Sequence, residues 1–188
     1  TYAELQREVV RWANALKELG VGKGTAVAIY MGMVPELAIA MVGCTGLGAT
    51  HTVVFGGFSS DSLSGRMVDM GCEVLVTQDE AWRRGKPVAL KQIADEAMQD
   101  APKVRSCLVL RRTGNEVPMQ EGRDTWFHDL DVSEDPGSCP CEPMGSEDLL
   151  FLMYTSGTTA KPKGIVHTTA GYLVGVASTH HYIFDLKA

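Results

Sequence analysis

The sequence predicts an α/β fold built on a mostly parallel sheet with helices on both faces. Short apolar segments alternate with longer helical segments along much of the chain, which is the element order of a βαβ protein. The apolar segments are continuous rather than alternating with polar residues, as in strands that are buried on both faces. The 188 residues are 45% hydrophobic, which is enough for the core of one domain. We therefore expect residues 1–188 to belong to a single domain.

The N-terminal segment predicts a helix with a defined beginning and end. Thr1 and Glu4 have the spacing of a capping box, and apolar residues recur at helical spacing as far as Leu19, where a glycine follows. Residues 25–31 are apolar and short enough for a buried strand. Pro35 then opens a second helix, which we expect to run to about residue 47.

The same alternation continues along the chain. It predicts strands over 51–55, 73–77 and 106–110 and helices over 59–70 and 88–98, with Ser59 as a candidate cap. Residues 111–148 are polar and rich in glycine, proline and acidic residues, so we expect a long surface excursion with one short strand. Apolar segments at 149–153 and 165–166 predict two further strands.

Charge and hydropathy disfavour several classes of partner. The formal net charge of −6 argues against a nucleic-acid-binding surface. No run approaches the roughly 18 apolar residues that a membrane span needs, and no signal-peptide pattern opens the chain. We therefore expect the partners to be small molecules rather than nucleic acid or membrane.

The cysteines predict a reducing compartment. There are five, an odd number without the spacing of a disulfide framework, and Cys44, Cys72 and Cys107 stand in apolar surroundings. Cys139 and Cys141 flank one proline, but no second pair completes a zinc-binding spacing, so a plain loop is favoured over a metal site. We expect reduced thiols and a cytoplasmic location.

The candidate phosphate loop is the segment Tyr-Thr-Ser-Gly-Thr-Thr-Ala-Lys-Pro-Lys-Gly at residues 154–164. Glycine lets the backbone approach an anion, while hydroxyls, N–H groups and lysines supply donors and positive charge. The spacing does not fit a Walker A motif, because Gly157 and Gly164 are too far apart and neither precedes Lys-Ser or Lys-Thr. A solvated turn between strands is the alternative. The candidate phosphate-binding residues are Thr155, Ser156, Gly157, Thr158, Thr159, Lys161, Lys163 and Gly164.

This loop resembles the signature loop of the adenylate-forming superfamily, which contains acyl-CoA synthetases, luciferases and peptide-synthetase adenylation domains. The segments 30–36, 54–59 and 165–174 narrow the resemblance to the AMP-forming acetyl-CoA synthetases, over essentially the whole chain. The resemblance implies part of the large N-terminal domain of that fold. The family's acyl pocket, adenine and ribose motifs, hinge and C-terminal domain are not found in these residues, so we expect the 188 residues alone to be inactive.

The resemblance also implies a reaction in two halves. A carboxylate, acetate, attacks the α-phosphate of ATP and releases pyrophosphate, and the thiol of coenzyme A then displaces AMP to give a thioester. The resemblance implies ATP with Mg²⁺ as cofactor and coenzyme A as co-substrate. The loop would hold the β- and γ-phosphates of ATP. Propionate or another short acid is an open alternative, as is a non-catalytic nucleotide- or CoA-binding half-domain.

A second candidate site is the basic segment at residues 82–86. Taken alone it predicts a solvated turn. The resemblance implies that it binds the nucleotide end of coenzyme A, with Arg83 and Lys86 on the phosphates and with Arg84 and Gly85 in the same segment. The family usually has arginine at the position of Lys86, so a bidentate clamp becomes a point charge. The segment Phe55-Gly56-Gly57 resembles the loop that packs against the adenine of coenzyme A.

One residue within the loop and one shortly after it differ from the simple picture of a phosphate-binding segment. Ala160 stands where the family has glycine, which is expected to stiffen the loop. His167 follows the loop, but the attacking carboxylate is already ionised and needs no general base. We interpret His167 as a structural residue.

Overall fold

The computed structural model describes residues 1–155 and 162–185. Their strands, in chain order, are β1 (Ala26–Met31), β2 (Thr50–Phe55), β3 (Val74–Gln78), β4 (Ala81–Arg83), β5 (Lys86–Val88), β6 (Ser106–Leu110), β7 (Asp124–Trp126), β8 (Leu149–Thr155) and β9 (Lys163–Thr168). The helices are α1 (Tyr2–Glu18), α2 (Pro35–Gly46), α3 (Ser60–Met70), α4 (Leu90–Gln99) and α5 (Thr169–Tyr182).

Within the described residues, seven strands form one sheet in the order β7-β6-β3-β1-β2-β8-β9, and β4 pairs with β5 in a separate hairpin. Neighbouring strands of the large sheet are parallel except for β8 and β9, which are antiparallel. The prediction of a mostly parallel sheet is therefore confirmed.

The helix starts follow the caps that the sequence predicts. The Thr1 hydroxyl accepts a hydrogen bond from the backbone N–H of Glu4 at 3.3 Å, while the Glu4 carboxylate accepts from the Thr1 amino group at 2.5 Å. Pro35 occupies the first turn of α2, and the Ser59 hydroxyl caps α3. Gly71 ends α3 with a left-handed φ of 67°, which glycine adopts without strain.

Helices cover both faces of the sheet, as predicted. On one face, α1 and α2 pack against the side chains of Val27 and Ile29. On the other, α3 and α4 pack against Ala28 and Tyr30. These four residues alternate along β1, and all of them are fully buried, because the central strand has a core on each side.

The chain reverses its winding direction at β1. From β1 it crosses through α2 on one face to β2, and from β2 it crosses back through α3 on the other face to β3, on the far side of β1. The loops at the carboxyl ends of β1 and β2 therefore diverge to opposite faces. In open α/β sheets such a switch point opens a crevice at the carboxyl ends of the strands.

Two element predictions need correction. The helix predicted over 88–98 begins at Leu90, because Val88 pairs with Ala81 in the β4–β5 hairpin. Helix α5 was not predicted, since its residues are mostly apolar or small and show no polar face. The short strand expected within 111–148 is β7. Across the described residues, no helix combines the length and hydropathy needed to cross a membrane.

Candidate functional site

A cavity of about 270 Å³ lies at the switch point, beyond the carboxyl ends of β1, β2 and β3. Its walls come from the loops after these strands, from the β4–β5 hairpin and from the segment after β6. The lining residues are Gly32, Met33, Val34, Phe55, Gly56, Gln78, Ala81, Trp82, Arg83 and Arg112. The cavity thus combines an aromatic ring, glycine backbone and two arginines, a set suited to an anionic ligand with a planar group.

The basic segment forms a tight β-hairpin. Arg83 pairs with Lys86, so Arg84 and Gly85 form a two-residue loop. Both loop residues have positive φ, 51° for Arg84 and 74° for Gly85, as a type I′ turn requires. The hairpin brings Trp82 and Arg83 to the cavity, while Arg84, Gly85 and Lys86 are exposed and lie outside its lining.

Two glycines after β2 allow the chain to pass close to its neighbours. A Cβ on Gly56 would lie 2.8 Å from the carbonyl oxygen of Met31, and a Cβ on Gly57 would overlap the guanidinium of Arg83. The Arg83 guanidinium stands over the ring of Phe55, 5.1 Å from its centroid. The segment Phe55-Gly56-Gly57 and Arg83 are therefore in direct contact.

Buried polar residues at the end of β3 fix the walls of the cavity. The Gln78 side chain accepts from the N–H of Gly32 at 3.0 Å and donates to the carbonyl of Glu80 at 2.6 Å. The Asp79 carboxylate accepts from the backbone N–H groups of Arg112 and Gly114, at 2.9 and 2.8 Å. These bonds tie the β3, hairpin and β6 loops together, because a buried carboxylate needs several donors.

The candidate phosphate loop leaves from the same edge of the sheet. Strand β8 runs parallel to β2, so Thr155 lies at the carboxyl-end edge that also holds the cavity. Thr155 pairs with Lys163 and Tyr154 pairs with Gly164, which places the two ends of the loop side by side. The remaining predicted residues, Ser156, Gly157, Thr158, Thr159 and Lys161, lie outside the described residues, as does Ala160.

Two histidines lie in a row of rings across β2, β8 and β9. His51 is 5.7 Å from the ring of Phe151, and His167 stacks on Phe151 at 4.3 Å. Burial lowers the pKa of His51 to about 4, so this imidazole is neutral at pH 7. His167 occupies a packing position within this row, which is compatible with the structural interpretation.

Some lining residues were not singled out from the sequence. Gln78 ends β3 and Arg112 follows β6, and both reach the cavity because β3 and β6 are adjacent in the sheet. A polar residue at the carboxyl end of a buried strand is the one sequence signal that points to Gln78. Arg112 carries no such signal.

An open parallel sheet with a crevice at its switch point defines the class of nucleotide-binding α/β domains. The sequence model of the AMP-binding enzyme family matches residues 1–187. The chain belongs to the AMP-binding enzyme family.

Individual relatives agree with this membership. The chain is 54% identical over 187 residues to an acetyl-coenzyme A synthetase of Rubrobacter xylanophilus, covering 100% of the chain and 29% of that protein. It is 53% identical over 186 residues to an acetyl-coenzyme A synthetase of Penicillium chrysogenum, covering 99% of the chain and 28% of that protein.

A solved structure, acetoacetyl-CoA synthetase from Streptomyces lividans, superposes with a TM-score of 0.87 at 28% identity, over 99% of the chain and 28% of that structure. The predicted fold, part of the N-terminal domain of an adenylate-forming enzyme, is confirmed by this match. The chain spans less than a third of the length of the relatives it matches.

Proposed function

We propose that the protein is an AMP-forming acetate–CoA ligase, and that residues 1–188 supply part of its ATP site and part of its coenzyme A site. The observation that carries this proposal is the position of the two candidate anion-binding segments at one edge of one sheet. The β8–β9 ends carry Thr155 and Lys163, and the switch-point cavity carries Arg83 and Arg112. A ligase of this kind must hold ATP and coenzyme A close enough for their chemistry to be consecutive.

The first half-reaction depends on charge neutralisation and alignment. Acetate attacks the α-phosphorus of ATP in line, and the P–O bond to the β-phosphate breaks as pyrophosphate leaves. Hydroxyls and N–H groups from Thr155 through Thr159, with Lys161 and Lys163, would hold the β- and γ-phosphates while negative charge builds on the leaving group. The antiparallel pairing of β8 with β9 supports this role, because it anchors both ends of the loop.

Mg²⁺ enters as part of the substrate MgATP. Within the described residues no group of three or more histidine, cysteine, aspartate or glutamate side chains could hold a metal ion. Mg²⁺ is usually held on a nucleotide by phosphate oxygens, water and one or two carboxylates, and it would enter here on the phosphates of ATP.

In the second half-reaction the thiol of coenzyme A attacks the acyl carbon, and AMP is released. Arg83 would bind a phosphate of coenzyme A with its guanidinium held over Phe55, and Lys86 would add a point charge from the other hairpin strand. Arg84 and Gly85 would act through the turn that sets this hairpin. The segment Phe55-Gly56-Gly57 would pack against the adenine, and its two glycines let Met31 and Arg83 lie close to the backbone of that segment.

The names of the relatives support acetate as the acid, and the cysteines support a cytoplasmic location. The relatives at 50–54% identity are named acetyl-coenzyme A synthetases, whereas the acetoacetyl-CoA synthetase is 28% identical. All five cysteines are free, and Cys44, Cys72 and Cys107 are buried, as is usual in a reducing compartment.

The test is acid-dependent ATP–pyrophosphate exchange by the full-length protein, with acetate, propionate and acetoacetate compared. We expect exchange with acetate at the highest kcat/KM and AMP release only after coenzyme A is added. A higher kcat/KM with propionate or acetoacetate would show that this acid, and not acetate, is the substrate. ATP or coenzyme A binding without exchange would favour a non-catalytic binding domain.

A further inference from the structure

A buried arginine lies between the two candidate loops. Arg66 of α3 is 7% exposed, and its guanidinium donates hydrogen bonds to the Ser62 carbonyl and hydroxyl at 2.5 and 2.6 Å. The guanidinium stands over two rings, 4.7 Å from the centroid of Phe58 and 5.6 Å from that of Tyr154. Arg66 therefore contacts both the segment that follows β2, through Phe58, and the end of β8, through Tyr154.

Arg66 makes no ion pair with any carboxylate of the described residues. Burial lowers its pKa, because the charged guanidinium has lost water without gaining a counter-ion. An apolar side chain of similar volume at a buried charged position is often neutral or favourable for stability. Stability alone therefore gives little reason for an arginine here.

The ring that Arg66 covers belongs to the residue before the candidate phosphate loop. The Tyr154 hydroxyl donates to the Asp69 carboxylate at 2.6 Å, and burial together with this bond raises the pKa of Tyr154. The ring also lies near Gly164, where a Cβ would come within 3.2 Å of the ring carbons. Tyr154 therefore contacts both α3 and the returning strand β9.

The same arginine is also connected to the switch-point cavity. The Phe58 ring meets the ring of Phe55 edge-on, with centroids 5.8 Å apart. The Arg83 guanidinium lies over the Phe55 ring. The Phe58 carbonyl accepts a hydrogen bond from the Tyr30 hydroxyl at 2.8 Å. Arg83, Phe55, Phe58, Arg66 and Tyr154 therefore form a continuous series of cation–ring and ring–ring contacts.

We propose that Arg66 is a positioning residue for the phosphate loop: by covering the ring of Tyr154 beside Asp69, it fixes the strand end from which the loop leaves. This inference rests on the proposed function, since it assigns the loop to ATP. Arg66 would act on the phosphate loop through its direct contact with Tyr154, whereas it reaches Arg83 only indirectly, through Phe58 and Phe55. Its effect belongs to the adenylation half-reaction.

The test compares Arg66→Met, Arg66→Lys and Tyr154→Leu in the full-length protein. We expect Arg66→Met to leave Tm unchanged or higher and to lower kcat/KM for ATP in acetate-dependent exchange about tenfold, or about 1.4 kcal/mol. Arg66→Lys should recover part of this loss, because lysine keeps the cation over the ring. Tyr154→Leu should match Arg66→Met, and the KM for coenzyme A should stay within twofold throughout.

Arg11→Met is the matched control. Arg11 also stands over a ring, that of Phe127 at 4.9 Å, but on the opposite face of the sheet. We expect its exchange kinetics to be unchanged. Normal exchange in Arg66→Met would overturn this inference and leave the proposed function intact. A Tm that falls together with activity in both Arg66 variants would have the same consequence, because it would indicate a purely structural role. Absence of exchange in the unaltered protein would overturn the proposed function and this inference with it.

Discussion

At the scale of single residues, glycine positions show where the backbone is too close to its neighbours for a side chain. Gly56 follows β2 and faces the Met31 carbonyl, while Gly65 lies within α3, where a Cβ would meet nothing within 4 Å. The two positions should therefore respond to alanine in opposite ways.

We predict that Gly56→Ala lowers the free energy of unfolding by about 2 kcal/mol, because the new methyl group must displace backbone. Gly65→Ala should raise it by about 0.5–1 kcal/mol, because alanine is the better helix former. Urea titrations of the two variants, compared with the unaltered chain, measure both effects. A stable Gly56→Ala variant would mean that the β2 loop is less tightly packed than described.

His51 makes a pH-dependent contribution to stability. Its pKa is about 4 in the folded protein because of burial, against 6.5 for the free side chain. As the pH falls from about 6.5 to about 4, His51 therefore takes up a proton in the unfolded chain but stays neutral in the folded chain. Stability is full above this window and decreases within it, by about 3 kcal/mol at the lower end.

We predict that this loss disappears in His51→Gln. The measurement is the free energy of unfolding at pH 7, 6.5, 6, 5.5 and 5, where carboxylates such as Asp124 stay largely ionised in both the folded and the unfolded chain. His128→Gln, at an exposed histidine, is the control and should keep the full pH dependence. An unchanged slope in His51→Gln would show that other groups are responsible.

At the scale of elements, a buried ionic cluster joins α4 to β7. Lys91 is fully buried, and its ammonium group lies 2.7 Å from Asp95 and 2.8 Å from Asp124. Burial alone would raise the pKa of Asp124, but hydrogen bonds from Arg123 and Lys91 outweigh it and hold that pKa below its usual value. The cluster anchors the edge strand β7, because the two fully buried charges, on Lys91 and Asp124, depend on each other and on their partly buried partners Asp95 and Arg123.

We predict that Lys91→Met lowers the free energy of unfolding by about 3 kcal/mol, since it leaves the buried Asp124 carboxylate and Asp95 to share Arg123 as their one remaining cation in the cluster. Gln92→Met, at the neighbouring exposed position, should change it by less than about 0.5 kcal/mol. Chemical denaturation measures both. Equal effects of the two variants would contradict the structural importance of this cluster.

Sequence patterns predict elements well where burial imposes a clear period. The buried strands β1, β2, β3 and β6 follow from short apolar runs, and α1 follows from its capping box and amphipathic spacing. The β4–β5 hairpin was missed because its strands have three residues each and its turn places arginine at a positive φ. The cavity could not be assembled from sequence, because Gly32, Gln78 and Arg112 meet only through strand order.

At the scale of the whole molecule, the β9 and α5 side of the sheet is open. Ile165 and Val166 of β9 are exposed, and so are Leu173 and Val174 of α5, which has no buried residue. An exposed apolar patch of this kind marks a contact surface. It contrasts with the two fully packed faces around β1.

We predict that the 188-residue chain binds the dye ANS and self-associates at micromolar concentration through this surface. The double variant Leu173→Glu, Val174→Glu should reduce both effects and leave Tm within a few degrees, because neither side chain is buried. Dye fluorescence and analytical ultracentrifugation measure them. Undiminished dye binding by the double variant would show that the dye binds a different apolar surface.

The central claim is that the two loops at the carboxyl edge serve different substrates, and Arg83→Ala in the full-length protein tests it most directly. We predict that the KM for coenzyme A rises about tenfold or more, because a phosphate loses its charged partner, while acetate-dependent ATP–pyrophosphate exchange is unchanged. Arg7→Ala, at an exposed arginine of α1, should alter neither. Equal damage by Arg83→Ala to exchange and to coenzyme A binding would contradict the account.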